Sequence, residues 1–106
     1  AAAGADPGTP VEGVGADSNF ARTIRQGSAT LDRGQRAADV VAAGERLIAR
    51  HPNLGAVVLE CANMPPYRDA LATQLRLPVF DAAQAIAWFY CGLPGAAPHY
   101  GRSNLW

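Results

Sequence analysis

At 106 residues the chain has the length of one domain and enough material to bury a core. Hydrophobic residues make up 49% of it and charged residues 17%, a balance that excludes disorder and fits a folded α/β or α domain. Formal net charge is zero and every basic residue is arginine. Acidic residues interleave with Arg22, Arg25, Arg33 and Arg36, so no positive face for nucleic acid is expected.

The start, Ala1 to Asp6, lacks the basic opening and long apolar stretch of a signal peptide. The longest apolar stretch, Ala82 to Leu93, is too short and interrupted to span a bilayer. Cys61 and Cys91 form no CxxC motif and no zinc spacing, so no metal site is expected. The expectation is a cytoplasmic chain with free thiols and no membrane contact. The missing initiator methionine fits a chain that begins inside a larger protein.

Residues 1–10 read as a loop, punctuated by Gly4, Pro7, Gly8 and Pro10. A single α/β domain is expected over residues 11–93, followed by a tail over 94–106. Val11 to Val14 reads as a short strand weakened by Gly13. Phe20, Ala21 and Ile24 have helical spacing and predict a turn or two. Asp32 is placed to cap a helix whose stripe is Ala37, Val40, Val41, Gly44, Leu47 and Ile48, stopped by Pro52.

Ala56 to Leu59 is a continuous apolar run, the mark of a strand buried on both faces of a parallel sheet. Asn63 can cap the next helix, with Pro65 or Pro66 at its first position and an apolar face of Tyr67, Ala70, Leu71 and Leu75. Pro78 to Phe80 is a further short strand. Ala82 to Cys91 is a helix ended by Gly92 and Pro94. The order is strand, helix, strand, helix, strand, helix, which implies a small parallel sheet flanked by helices. Ligands of such sheets sit beyond the carboxyl ends of the strands, where Cys61 and Asp81 lie.

Cys61 is the residue with most chemistry. A helix starting just beyond it would turn its free N–H groups and partial positive charge toward the sulfur and favour the thiolate. A thiolate there is able to remove a proton from carbon or attack an electrophile. The alternative is a small, buried, inert residue at a strand end. Asp81 either caps the helix after it or lines the site. Cys91, within Trp88-Phe89-Tyr90-Cys91, reads as helix packing, and Trp88 and Phe89 as core or interface. His51 reads as a helix-end residue, and His99 lies in the tail.

The stretch Leu54-Gly55-Ala56-Val57-Val58-Leu59-Glu60-Cys61-Ala62-Asn63-Met64-Pro65-Pro66-Tyr67, followed by Leu77-Pro78-Val79-Phe80-Asp81, resembles the C-terminal half of aspartate/glutamate racemase superfamily proteins. The likeness runs from about Gly44 to Trp88, is weaker from Thr9 to Leu31 and is absent in the tail. It implies one flavodoxin-like half of a two-domain fold, working without cofactor or metal on an amino acid or related carboxylate. Cys61 would be one of two thiol acid/bases, the other lying in a missing N-terminal half or a second subunit. Glu60, Ala62, Asn63 and Asp81 are the candidate substrate-lining residues, with Glu60 alternatively facing solvent and Asn63 alternatively capping the helix. Glutamate racemases carry Cys-Thr-His where this chain has Cys61-Ala62-Asn63, so the hydroxyl and the imidazole are gone. A second strand–cysteine–helix motif is also lacking.

The expected function is therefore the catalytic half of a cofactor-independent amino-acid racemase or epimerase. Two other readings stand beside it: a non-catalytic α/β binding module or pseudoenzyme remnant, and a single-cysteine decarboxylase or isomerase of the same superfamily.

Overall fold

The computed structural model describes residues 4–27 and 32–95; the tail from Ala96, with His99, lies outside them. Among the described residues the chain is mixed α/β, with four α-helices and a parallel sheet of two strands. It divides into two compact units, Ala1–Leu54 and Gly55–Trp106.

The first unit is helical. Helix α1 spans Asn19–Gln26, and the Ser18 hydroxyl caps it by accepting from the Ala21 N–H at 3.0 Å. Gly27, in the left-handed region at φ 60°, closes the helix and donates to the Thr23 carbonyl. Helix α2 spans Arg33–Arg50 and is capped, as expected, by Asp32, which accepts from the Gln35 N–H at 3.2 Å. The predicted stripe faces inward: Val40 and Gly44 are buried, and Ala37, Val41, Leu47 and Ile48 are half-buried. Asp39 of α2 accepts from the Phe20 N–H at 3.0 Å, so one orphan donor at the start of α1 is satisfied by the neighbouring helix.

The strand expected at Val11 to Val14 does not form, and the segment has no regular structure. Two of its polar groups, the Glu12 carboxylate and the Gly13 carbonyl, are bound by α2. Glu12 binds Arg46 at 2.9 Å and Arg50 at 2.6 Å, and the Gly13 carbonyl accepts from Arg46 at 3.1 Å. Arg46 and Arg50 are four apart and lie on one side of the helix.

The second unit runs strand, helix, strand, helix. Strand β1 is Val57–Leu59 and strand β2 is Val79–Asp81. They pair in parallel, with Val57 opposite Val79, Val58 opposite Phe80 and Leu59 opposite Asp81. Between them a 3-10 turn, Pro65–Tyr67, leads into helix α3, Arg68–Leu75; helix α4, Ala82–Cys91, follows β2. The core of this unit is Val57, Leu59, Tyr67, Leu71 and Val79, with Leu71 only 1% exposed. Full burial of such a leucine contributes about 2 kcal/mol.

Alternation sends Val57, Leu59, Val79 and Asp81 to one face of the sheet, and all four are buried. The other face carries Val58 and Phe80, which are 72% and 52% exposed. The expected burial of β1 on both faces is thus corrected, because a strand is covered twice only when a layer lies on each side. The expected three-strand alternation is reduced to two for the separate reason that residues 11–14 join no sheet.

Candidate functional site at the carboxyl end of the first strand

The chain leaves β1 at Leu59 and turns at once. The Met64 N–H donates to the Cys61 carbonyl at 3.0 Å, which closes a tight turn over Cys61 to Met64. Cys61 is half-buried within it, while Glu60, Ala62 and Asn63 are exposed. The sulfur is thus neither packed away nor fully open. One amide points at it: Asn63 Nδ2 lies 3.8 Å from Sγ, in reach of a hydrogen bond to sulfur.

Asn63 therefore does not cap the following helix. The residue ahead of the 3-10 turn is Met64, with no side-chain cap, and Pro65 and Pro66 occupy the first positions. Proline has no N–H, so this helix start presents fewer donors than an ordinary one. The α-helix proper begins only at Arg68. The expected cluster of helix amides around the thiol is corrected accordingly: the donor that reaches Cys61 is the Asn63 side chain.

Asp81 ends β2 in a different setting. Its Oδ1 accepts from the Gln84 N–H at 2.8 Å, and its own N–H donates to Gln84 Oε1 at 3.0 Å. This reciprocal pair is a complete capping box at the start of α4. The Asp81 side chain is 1% exposed. Its second oxygen, Oδ2, accepts no hydrogen bond but lies 3.8 Å from Arg68 Nη1, inside ion-pair range and beyond hydrogen-bond range.

Arg68 was not singled out in the sequence. It sits at the first turn of α3 with its side chain 17% exposed, held by Asp69 at 3.0 Å and facing Asp81. A signal was available: a cation at a helix N-terminus opposes the helix dipole and needs carboxylates nearby.

Cys61 and Cys91 are both free and half-buried. Among the described residues no group of three or more His, Cys, Asp or Glu is placed to hold a metal ion. An open depression of about 360 Å³ in the first unit is lined by Pro10 and residues 50–54. It contains none of the residues predicted for the site. In the same unit the hydrogen bond from Arg46, helped by the charge of Arg50, holds Glu12 below the ordinary carboxylate value.

Three curated relatives match the chain, all named as lyases of one compound. Dimethylsulfoniopropionate lyase from Durusdinium sp. clade D is 32% identical over 74 residues, 70% of this chain and 24% of its own length. Dimethylsulfoniopropionate lyase 5 of Emiliania huxleyi (strain CCMP1516) is 51% identical over 43 residues, 41% of this chain and 8% of its own length. Lyase 7 of the same organism is 41% identical over 49 residues, 46% of this chain and 14% of its own length. The chain thus spans a quarter or less of each of these relatives. No family model matches it, and no solved structure does. A 74-residue stretch of a 106-residue chain contains residues 33–74 wherever it begins, so the Durusdinium match takes in Cys61 and its turn.

These relatives overturn the racemase reading. The resemblance to the aspartate/glutamate racemase superfamily, and the isomerase activity inferred from it, give way to a likeness to proteins named for a different reaction.

Proposed function

We propose that this chain is a segment of a lyase acting on dimethylsulfoniopropionate or a closely similar sulfonium carboxylate, with Cys61 as the base. The observation that carries the reading is a half-open thiol at the carboxyl end of a parallel strand, inside a stretch similar to a lyase of that name. This substrate has no stereogenic carbon, so inversion by paired thiols has no meaning for it. Elimination does.

The chemistry needs a single base. The Cys61 thiolate takes a proton from the carbon next to the carboxylate. The C–H electron pair becomes the new C=C bond as the neighbouring C–S bond breaks. Its electrons leave with sulfur as neutral dimethyl sulfide, and acrylate remains. The thiol then returns its proton to water. Because the leaving group departs from a sulfonium cation, no acid is required to protonate it. One cysteine, which leaves a two-base racemase incomplete, is sufficient here. The Asn63 amide, 3.8 Å from the sulfur, supplies a hydrogen to it. Exposed Glu60 sets a carboxylate beside it that attracts the cationic end of the substrate.

We place the protein in the cytosol, where its two free cysteines stay reduced. No described helix is long and apolar enough to cross a membrane. The partners under this reading are the small sulfonium substrate and further polypeptide of the kind that makes up the rest of the relatives' length.

The test is headspace gas chromatography of dimethyl sulfide released from dimethylsulfoniopropionate. Cys61→Ala should lower release by about 10²–10⁴-fold, the usual worth of a positioned base, while Cys91→Ala keeps it. Undiminished release from Cys61→Ala, in the polypeptide that carries this segment, would reject the reading.

A further inference from the structure

The carboxyl edge of the sheet carries a largely buried cation that the proton transfer at Cys61 does not use. Arg68 has a side chain only 17% exposed, at the first turn of α3, where the helix dipole opposes it. Between Gly55 and Gly95 the sequence holds two cations, Arg68 and Arg76. The strands are parallel, so α3 runs back between them and its two ends lie at opposite edges of the sheet. Arg76, which closes α3, is at the amino edge. Arg68 is at the edge of Cys61: it stands 3.8 Å from Asp81, Asp81 pairs with Leu59, and Cys61 follows Leu59 by one intervening residue. The guanidinium is held there with part of its fork uncommitted. Asp69 engages Nε and Nη2 through one oxygen, at 3.1 and 3.0 Å. Asp81 attracts Nη1 without taking a hydrogen from it, and its own buried Oδ2 accepts none.

We propose that Arg68 anchors the carboxylate of the substrate. For the identity of that substrate the proposal rests on the lyase reading. A guanidinium fork suits a carboxylate better than any other acceptor, because planar donors meet two oxygens in one plane. Asp81 holds the cation in place by charge while its Oδ1 is occupied in capping α4. The Asp69 side chain is 85% exposed, so water screens its competing charge. A zwitterion then sets its sulfonium toward Glu60 and its carboxylate toward Arg68, and the carbon beside the carboxylate is presented to Cys61. The cation also eases the chemistry. Negative charge builds next to the carboxylate as the C–H bond breaks, and a fixed positive group in a partly dry setting stabilises it.

The test is alkylation of Cys61 by iodoacetate and by iodoacetamide in the polypeptide that carries this segment, followed by peptide mass mapping. The two reagents deliver the same carbon to sulfur, and one of them brings a carboxylate. Arg68→Gln should lower the ratio of the iodoacetate rate to the iodoacetamide rate about tenfold, the worth of one charge-assisted hydrogen bond. Arg68→Lys keeps a cation before Asp81, and with it the fold, and should lower the ratio about threefold through loss of the fork. Arg76→Gln removes the cation of the other edge and should leave the ratio unchanged. A ratio unmoved by both Arg68 substitutions overturns the proposal, and Arg68→Lys decides alone if circular dichroism shows Arg68→Gln unfolded. Dimethyl sulfide release keeps the two readings apart. A lowered ratio in a polypeptide that releases none upholds the anchor and removes the lyase. Release that depends on Cys61, with an unmoved ratio, removes the anchor alone.

Discussion

The two strands of the sheet are alike in length and in burial pattern, yet their carboxyl ends serve opposite purposes. At the end of β2 the chain passes straight into α4, and Asp81 is consumed by the passage: one oxygen in the capping box, the other shut away beside Arg68. At the end of β1 the chain spends eight residues before α3 begins, and the turn holds Cys61 half-open with an amide pointing at its sulfur. A polar residue next to a helix start is drawn into capping it. A residue set back from the helix by a turn and two prolines escapes capping, and Cys61 stays half-open.

The contrast is open to attack at several points. The largest effect should come from the support common to both ends. Leu71→Ala removes the most buried side chain of the unit and should cost about 2–5 kcal/mol by denaturant titration. A cost near zero would mean that α3 is not the platform on which the strands rest. Next comes Asp81→Ala, expected to cost about 1–2 kcal/mol through the lost cap. It should lower helical ellipticity while leaving the alkylation rate of Cys61 as it was. Slower alkylation would show that the two strand ends work as one site.

Asn63→Leu probes the other end. Alkylation of Cys61 by iodoacetamide should slow by about fivefold, the equivalent of one hydrogen bond of ~1 kcal/mol, with little change in stability. An unchanged rate would remove Asn63 from the site. The smallest effect belongs to the first unit. Glu12 is held below its ordinary value of 4.5, so its ion pairs add stability above that pH, and this is lost as pH falls through the lowered value. Acid titration followed by circular dichroism should show a low-pH loss that Glu12→Gln abolishes, without altering Cys61.

Much of this was legible in the residues themselves. The stripe of α2 and its Asp32 cap, the apolar run of β1 and the placement of Asp81 before α4 all follow from local rules that tertiary structure did not override. Other features depend on what lies nearby. Val58 reads as core because the run around it is apolar, but its exposure is decided by the layers present, which no local pattern records. The segment 11–14, which forms no strand, is instead tied through Glu12 to Arg46 and Arg50, more than thirty residues away. Pro65 and Pro66 suit an α-helix start by local rules; side by side they set a 3-10 turn and strip it of donors. The reaction was the least legible of all. Under the proposed reading Cys61 is a base in either chemistry, and what separates elimination from inversion is a leaving group on the substrate, which no residue of the chain records.

The brevity of the sheet has a consequence for how its backbone meets water. The Val57 amide donates across to the Pro78 carbonyl at 2.9 Å, and the Val58 amide, one step along the pleat, points outward. In deuterium oxide the first should exchange slowly and the second quickly, an alternation readable by NMR. Outer edges only three residues long give an incoming strand few partners to zip onto. Side chains, rather than peptide groups, then govern what this unit will adhere to.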